Sequence, residues 1–270
     1  MNNTEYHADT SAISASGLKL FMRSPAHYYA AYLDPNRVER QPTAAMKLGT
    51  ATHCAILEPT EFSKRYMLRP DHINARTNDG KAELAAIAAS GIEILTPDDY
   101  AQVLCMAHAF LEHPVTRDLF GDEYKTEQTF YSEINGVRCK CRPDFLADGI
   151  MMDVKTCRDA SAEGFGKQAW NLGYHIQEAF YRLVKPTSRF LFGAVESEYP
   201  HIVQYHESPD ELIEYAENLI DEALASYANC LKHNVWPGYS NVIEPLQVPG
   251  YAQRIIENDG IEDWEISHVE

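Results

Sequence analysis

Two carboxylates and an ammonium stand close together in the middle of the chain: Asp144 follows Pro143, eight residues intervene, and then comes Asp153-Val154-Lys155. Hard oxygen ligands of this kind hold Mg2+ or Mn2+, which take one or two carboxylates together with water and phosphate oxygens. The ion polarises a phosphoryl oxygen and lowers the pKa of bound water, while a neighbouring ammonium orients that water or stabilises developing charge. Phosphodiester hydrolysis is the chemistry that such a set serves.

The three groups meet only if the chain folds them to one end of a hairpin, and the surrounding pattern predicts this. Residues 126–134 are β-branched and aromatic, Asn135-Gly136 is a two-residue hairpin signal, and residues 137–146 form the return strand. Asp148-Gly149 turns the chain into a third strand over 150–156, so three consecutive antiparallel strands are expected. Along the return strand Val137, Cys139 and Cys141 take one face, and Arg138, Lys140, Arg142 and Asp144 the other. On the third strand Asp153 and Lys155 share a face and Val154 turns into the core. A row of cations leading to a carboxylate suits a channel for a polyanion; a solvated strand face gives the same alternation.

Upstream the pattern is mainly helical. Residues 14–23 read as a short helix ended at Ser24-Pro25, and 26–33 as a second. Residues 43–57 read as a buried helix with Gly49 and His53 one turn apart on one face, and 68–80 as a loop. Two helices bracket Gly91, the second with Thr96 as N-cap, Pro97 in its first turn and Asp98 and Asp99 facing the dipole. Downstream, after a linker, come a helix over 174–184, strands over 189–195 and 202–205, and a long acidic helix over 208–233 with Ser208 as N-cap. One domain over 1–270 is expected: a helical part to 120, a core over 121–235, and a tail over 236–270 without clear periodicity. No Walker motif is present, so ATP is not implied.

Combined, these motifs carry a resemblance. Pro143-Asp144 and Asp153-Val154-Lys155 resemble the PD-(D/E)xK signature; Gln177-x-x-x-Tyr181 resembles the QxxxY element of its RecB and lambda-exonuclease branch, and Gly49-x-x-x-His53 the GxxxH element. The segments SASGLKLFMRSPAHYY, LGTATHCAILEP, CRPDF, MMDVKT and YHIQEAFY follow in an order similar to the RecE-type exonuclease VIII nuclease-domain family, over residues 6–240. That resemblance implies an α/β (α+β) restriction-endonuclease-like core, a central mixed sheet flanked by helices. It implies that His53, Asp144 and Asp153 ligate metal with the Val154 carbonyl, and that Lys155 positions or deprotonates the attacking water. Gln177 and Tyr181 would support the site and the DNA strand, and Glu127 would be an extra acidic ligand, although an exposed Glu at a strand start needs no function. Arg138, Lys140 and Arg142 would line the DNA channel.

The activity so implied is a Mg2+-dependent double-strand DNA exonuclease, with Mn2+ substituting, that resects 5'-to-3' from ends and leaves 3' tails for recombination and repair. A homo-oligomeric ring, a tetramer, and a RecT-type single-strand annealing protein as partner belong to the same resemblance, as does a prophage setting. Two other readings stay open: a single-strand or structure-specific nuclease of Cas4-like type, and a catalytically weak DNA-end-binding module. Cysteines at 54, 105, 139, 141, 157 and 230 lack the spacing of an iron-sulfur cluster and read as buried thiols in a reducing compartment.

Composition taken as a whole opposes a nucleic-acid partner, because 23 basic residues face 40 acidic ones for a net charge of -17. Residues 201–270, however, carry 14 acids and only Lys232 and Arg254, whereas 136–158 hold five bases against three acids. The acidity is polarised, and the acidic helix is expected away from the site. With no apolar run of about 18 residues and no signal-peptide pattern at the start, the expectation is a cytoplasmic protein without a membrane partner.

Overall fold

The computed structural model describes residues 3–38, 41–121, 123–147, 149–250 and 252–257. The chain divides into one unit over Met1–Pro237 and another over Gly238–Glu270. The described residues of the second unit form no strand, and Val242, Ile243, Leu246 and Ile256 are exposed.

The first unit opens with α1 (Asn3–Ala8), β1 (Ile13–Ser14), α2 (Ala15–Arg23) and α3 (Pro25–Tyr28), which continues into a π-helical turn over Tyr29–Leu33. Next come α4 (Ala44–Leu57), α5 (Pro59–Arg65), β2 (Tyr66–Leu68), α6 (Asn78–Ala89), β3 (Glu93–Leu95), α7 (Pro97–Glu112) and α8 (Pro114–Gly121). The strands β4 (Lys125–Thr126), β5 (Phe130–Ile134), β6 (Val137–Cys141), β7 (Phe145–Ala147) and β8 (Ile150–Cys157) follow. After them lie α9 (Ala162–Leu172), α10 (Tyr174–Val184), β9 (Arg189–Glu196), β10 (Val203–His206) and α11 (Asp210–His233). Side-chain caps start the helices that matter most for the site: Ser14 accepts from the Gly17 N–H, Thr43 from Met46 and Thr96 from Asp99.

A five-stranded mixed sheet of order β10-β9-β8-β7-β4 is the centre, with β8 and β9 parallel across the α9–α10 connection. Alternation along β8 and β9 builds two cores. Met151, Phe190, Phe192 and Ala194 pack with Leu18 of α2, Phe180 of α10 and Leu224 of α11. Met152, Val154, Leu191 and Val195 pack on the other face with Ala51 of α4 and Met106 and Phe110 of α7. Gly193 is the point of closest approach there, since a Cβ on it would sit 2.7 Å from the Phe110 ring. Gly193→Ala is therefore expected to destabilise the fold by about 1–3 kcal/mol through overpacking, read as a lower urea midpoint with an unchanged slope.

A smaller sheet of order β1-β6-β5 sits beside this one, its hairpin closed by Asn135 and Gly136 with φ of 51° and 77°. Here the expected run of three antiparallel strands needs correction. The first strand is divided because Glu127 has φ 55°, outside the extended region, which separates β4 from β5. The return strand is divided at Arg142-Pro143-Asp144, where Pro143 offers no N–H to a ladder, so β6 and β7 belong to different sheets. The Asp148 half of the next turn lies outside the described residues.

Four further expectations change. The linker before residue 174 contains α9, whose N-cap Ser161 accepts from the Gly164 N–H. Helix α11 starts at Asp210, because the Ser208 hydroxyl donates to the Glu178 carboxylate at 2.6 Å rather than capping. Gly91 is followed by the short strand β3 before the next helix. Five of the six cysteines are buried, but Cys105 on α7 is exposed. Among the described residues no helix is long and apolar enough to cross a membrane.

Candidate active site

Strand β7 pairs with β8 only from Ile150 to Met152, and β6 has by then turned into the other sheet. From Asp153 onward that edge of β8 lacks a ladder partner, and its backbone needs one. Asp144 supplies it: Oδ2 accepts the Val154 N–H at 2.7 Å. The connecting segment is pinned in turn, since the Glu127 N–H donates to the Asp144 carbonyl at 3.2 Å and the Tyr181 hydroxyl to the Arg142 carbonyl at 3.3 Å. A break in the strand pattern thus becomes the device that holds a carboxylate.

Asp153 and Lys155 project towards α10 and meet Gln177. Its Nε2 donates to Asp153 Oδ1 at 2.6 Å, and Lys155 Nζ donates to Gln177 Oε1 at 3.1 Å. The Lys155 ammonium also pairs with Asp153 Oδ2 and stands 4.5 Å from the centre of the Tyr174 ring. From the opposite face of the sheet α4 brings Gly49 and His53. A Cβ on Gly49 would lie 3.3 Å from Thr156 Oγ1, so glycine lets the helix approach β8, and His53 Nδ1 lies 3.4 Å from Asp144 Oδ2. Gly49, His53, Asp144 and Thr156 line a cleft of about 530 Å³ together with Glu58, Arg65, Glu127, Arg142 and Tyr181.

Burial, the Asp153 charge and the Glu127 charge hold the Asp144 carboxyl well above its ordinary range, against the smaller opposing pull of Lys155. Burial pushes His53 down to about 4, so the imidazole is neutral near pH 7 and its contact with Asp144 is not an ion pair. For Lys155 burial alone would lower the pKa, but Asp153 and Asp144 outweigh it and raise it. Lys155 is therefore an ammonium, suited to positioning water and balancing charge rather than to removing a proton. Burial raises Glu127, against the opposing Arg142 guanidinium that pairs with it.

Among the described residues no three His, Cys, Asp and Glu side chains form a preassembled metal cage. Asp153 is turned to Gln177 and Lys155, and Asp144 to Val154. The donor chemistry nevertheless fits a hard divalent ion: two buried carboxylates in mutual repulsion, a neutral imidazole, and an Asp153 Oδ2 that accepts no hydrogen bond beyond the Lys155 charge contact. Gln177 holds both Asp153 and Lys155. Gln177→Ala is expected to lower phosphodiester cleavage about 10- to 100-fold, measured as kcat on a defined oligonucleotide, with the fold intact by circular dichroism.

The structure brings together His53, Glu127, Asp144, Asp153, Val154, Lys155, Gln177 and Tyr181. Glu127 is half-buried in the cleft, not an exposed strand-start residue. The three channel cations separate. Arg142 lines the cleft, paired with Glu127. Arg138 lies over the Tyr131 ring and bonds Ser11 on the outer side of the small sheet. Lys140 is only 3% exposed and is spent on the Tyr6 and Asp9 carbonyls, so it does not line an open channel. The segment it anchors adds Tyr6 and His7 to the cleft, and α11 contributes nothing to that lining. Lys19 and Tyr174, beside Lys155, are the neighbours that sequence reasoning missed.

A family model described as a PDDEXK-like domain of unknown function (DUF3799) matches residues 14–248. A candidate exonuclease from Eubacterium rectale has a similar structure, with a TM-score of 0.65 and 14% identity over 92% of this chain and 95% of that one. A phage related exonuclease from Haemophilus somnus 129PT gives a TM-score of 0.37 at 12% identity over 83% and 96%, too low to carry an argument. The same holds for an alkaline exonuclease from Laribacter hongkongensis, at 0.34 and 11% over 86% and 96%. No curated protein matches the chain in sequence.

Proposed function

The chain belongs to the PDDEXK-like DUF3799 family, and from that premise we propose that it is a divalent-metal-dependent exodeoxyribonuclease acting on ends of double-stranded DNA. Supporting this reading above all is the joint geometry of Asp144 on the Val154 N–H and of Gln177 bridging Asp153 and Lys155. The E. rectale protein that shares the fold is described as an exonuclease, with no substrate or metal named.

In this mechanism Asp144, Asp153, His53 and the Val154 carbonyl would hold Mg2+, with Mn2+ as substitute. The bound ion supplies Lewis-acid polarisation of the phosphoryl oxygen and a more acidic water. Gln177 fixes the Asp153 carboxylate and the Lys155 ammonium relative to each other, so that neither reorganises when charge develops. Lys155, kept protonated by its carboxylate neighbours, donates to the attacking water or to a phosphoryl oxygen. Tyr181 holds the Arg142 carbonyl and with it the strand break that sets Asp144. Arg142 and Arg65 line the cleft, paired with Glu127 and Glu58 of the same lining, and the acidic α11 lies elsewhere, buried on one side against α10 and α2.

Resection 5'-to-3', a tetrameric ring and a RecT-type annealing partner complete the reading, and all three rest on the family resemblance of the motifs. One digestion tests polarity and end dependence: linear duplex labelled at either the 5' or the 3' end, beside a closed circle, with Mg2+. Early release of 5' label alone from the linear DNA is expected. Release of 3' label, or cutting of the circle, contradicts the reading.

A further inference from the structure

The catalytic carboxylates already hold two cations, Lys155 on Asp153 and Arg142 on Glu127. A third cation, Lys19 of α2, stands at the same Tyr174 ring as Lys155 and forms no ion pair among the described residues. Its placement is built. The stem crosses Gly173, where a Cβ would come within 2.9 Å of Lys19 Cδ and where φ of 64° itself favours glycine. The ammonium donates to the Leu172 carbonyl at 3.0 Å, at the negative end of α9, and lies 5.9 Å from the centre of the same Tyr174 ring that carries Lys155.

Lys19 is half-buried without a counter-charge, and a single carbonyl satisfies one of its three donors, which leaves donors to offer a ligand. The shared Tyr174 ring sets Lys19 beside the catalytic pair; burial and then the Lys155 charge lower its pKa to about 8, with Asp153 acting in the opposite sense. An incoming phosphodiester carries the charge and the acceptor oxygens that this arrangement lacks. On the nuclease reading above, we propose that Lys19 is a substrate-binding residue that receives a phosphate of the DNA strand beside the bond being cut. The competing role, a cap on α9, requires the donor but not the charge.

Salt dependence separates the two, because each lost phosphate contact lowers the slope of log K against log salt by about 0.7–0.9. Binding is measured by anisotropy of a labelled blunt duplex in chelator, from about 50 to 200 mM salt, for wild type, Lys19→Met and Lys19→Gln. Methionine keeps the stem on Gly173, and glutamine also keeps a donor for Leu172. Both folded variants are expected to bind about ten-fold more weakly at low salt with a slope reduced by about one contact, and Lys19→Arg to keep the wild-type slope. An unchanged slope in Lys19→Gln while wild type binds normally overturns the role of Lys19 alone. Absence of duplex binding by wild type overturns it together with the nuclease reading.

Discussion

Lys155→Met is expected to abolish cleavage and to destabilise the protein, two effects that a second substitution separates. Asp153 and Lys155 form a pair whose side chains are only 4% and 16% exposed. Removing the ammonium leaves a buried carboxylate with the Gln177 amide as its remaining partner, a change that typically costs about 3–5 kcal/mol. Adding Asp153→Asn removes the stranded charge, so the double variant should recover to within about 1 kcal/mol of wild type in urea unfolding. Activity should not recover: both variants are expected to be slower by a factor of at least about 10³, since the double variant also loses one of the carboxylates proposed to hold the metal. Stability that stays low in the double variant would place the effect in packing rather than charge.

Asp144→Asn is expected to change how stability depends on pH. The folded-state pKa of Asp144 is raised well above its ordinary value of 3.8 by burial and by Asp153 and Glu127. The native state therefore holds a proton that the unfolded state has released, and stability falls as pH rises from about 4 through the folded pKa. Metal-free wild type should lose stability across that window, and Asp144→Asn should be flatter there. Because ligation requires the deprotonated carboxylate, Mg2+ or Mn2+ should stabilise wild type increasingly with pH and Asp144→Asn far less. Parallel thermal melts with chelator and with metal read both effects. A steep wild-type decline retained in Asp144→Asn would assign the dependence to another group.

Much of the site was legible because its parts follow periodic rules. Gly49 and His53 are one helical turn apart, Gln177 and Tyr181 likewise, and Asp153 and Lys155 share one face of a strand; each pair lies where its period places it. The breaks were not legible. Period-two alternation runs through Arg142 and Pro143 without a sign that β6 and β7 enter different sheets, and nothing local announces the positive φ of Glu127. Lys140 looked exposed because its partners, the Tyr6 and Asp9 carbonyls, lie more than 130 residues away in sequence. Helix α9 was hidden by Gly164 and Gly166, which mark a linker by composition. Gly164 is needed there, since a Cβ would meet the Asp159 carboxylate at 2.2 Å.

On the nuclease reading the net charge of -17 is a poor guide to partners for the same reason: it sums over elements such as α11 that do not line the cleft. What decides is the local set, in which carboxylates alternate with Lys155, Arg142 and Lys19.

On the reading proposed above, Asp144, Asp153 and Lys155 hydrolyse phosphodiesters with a divalent ion. Purified wild type and Asp153→Asn, matched for folding, are incubated with linear duplex DNA in Mg2+ or in chelator, and the released nucleotides are measured. Release by wild type in Mg2+, and by neither protein in chelator nor by Asp153→Asn in either condition, is the predicted result. Equal release by Asp153→Asn, or wild-type release undiminished by chelator, would contradict it.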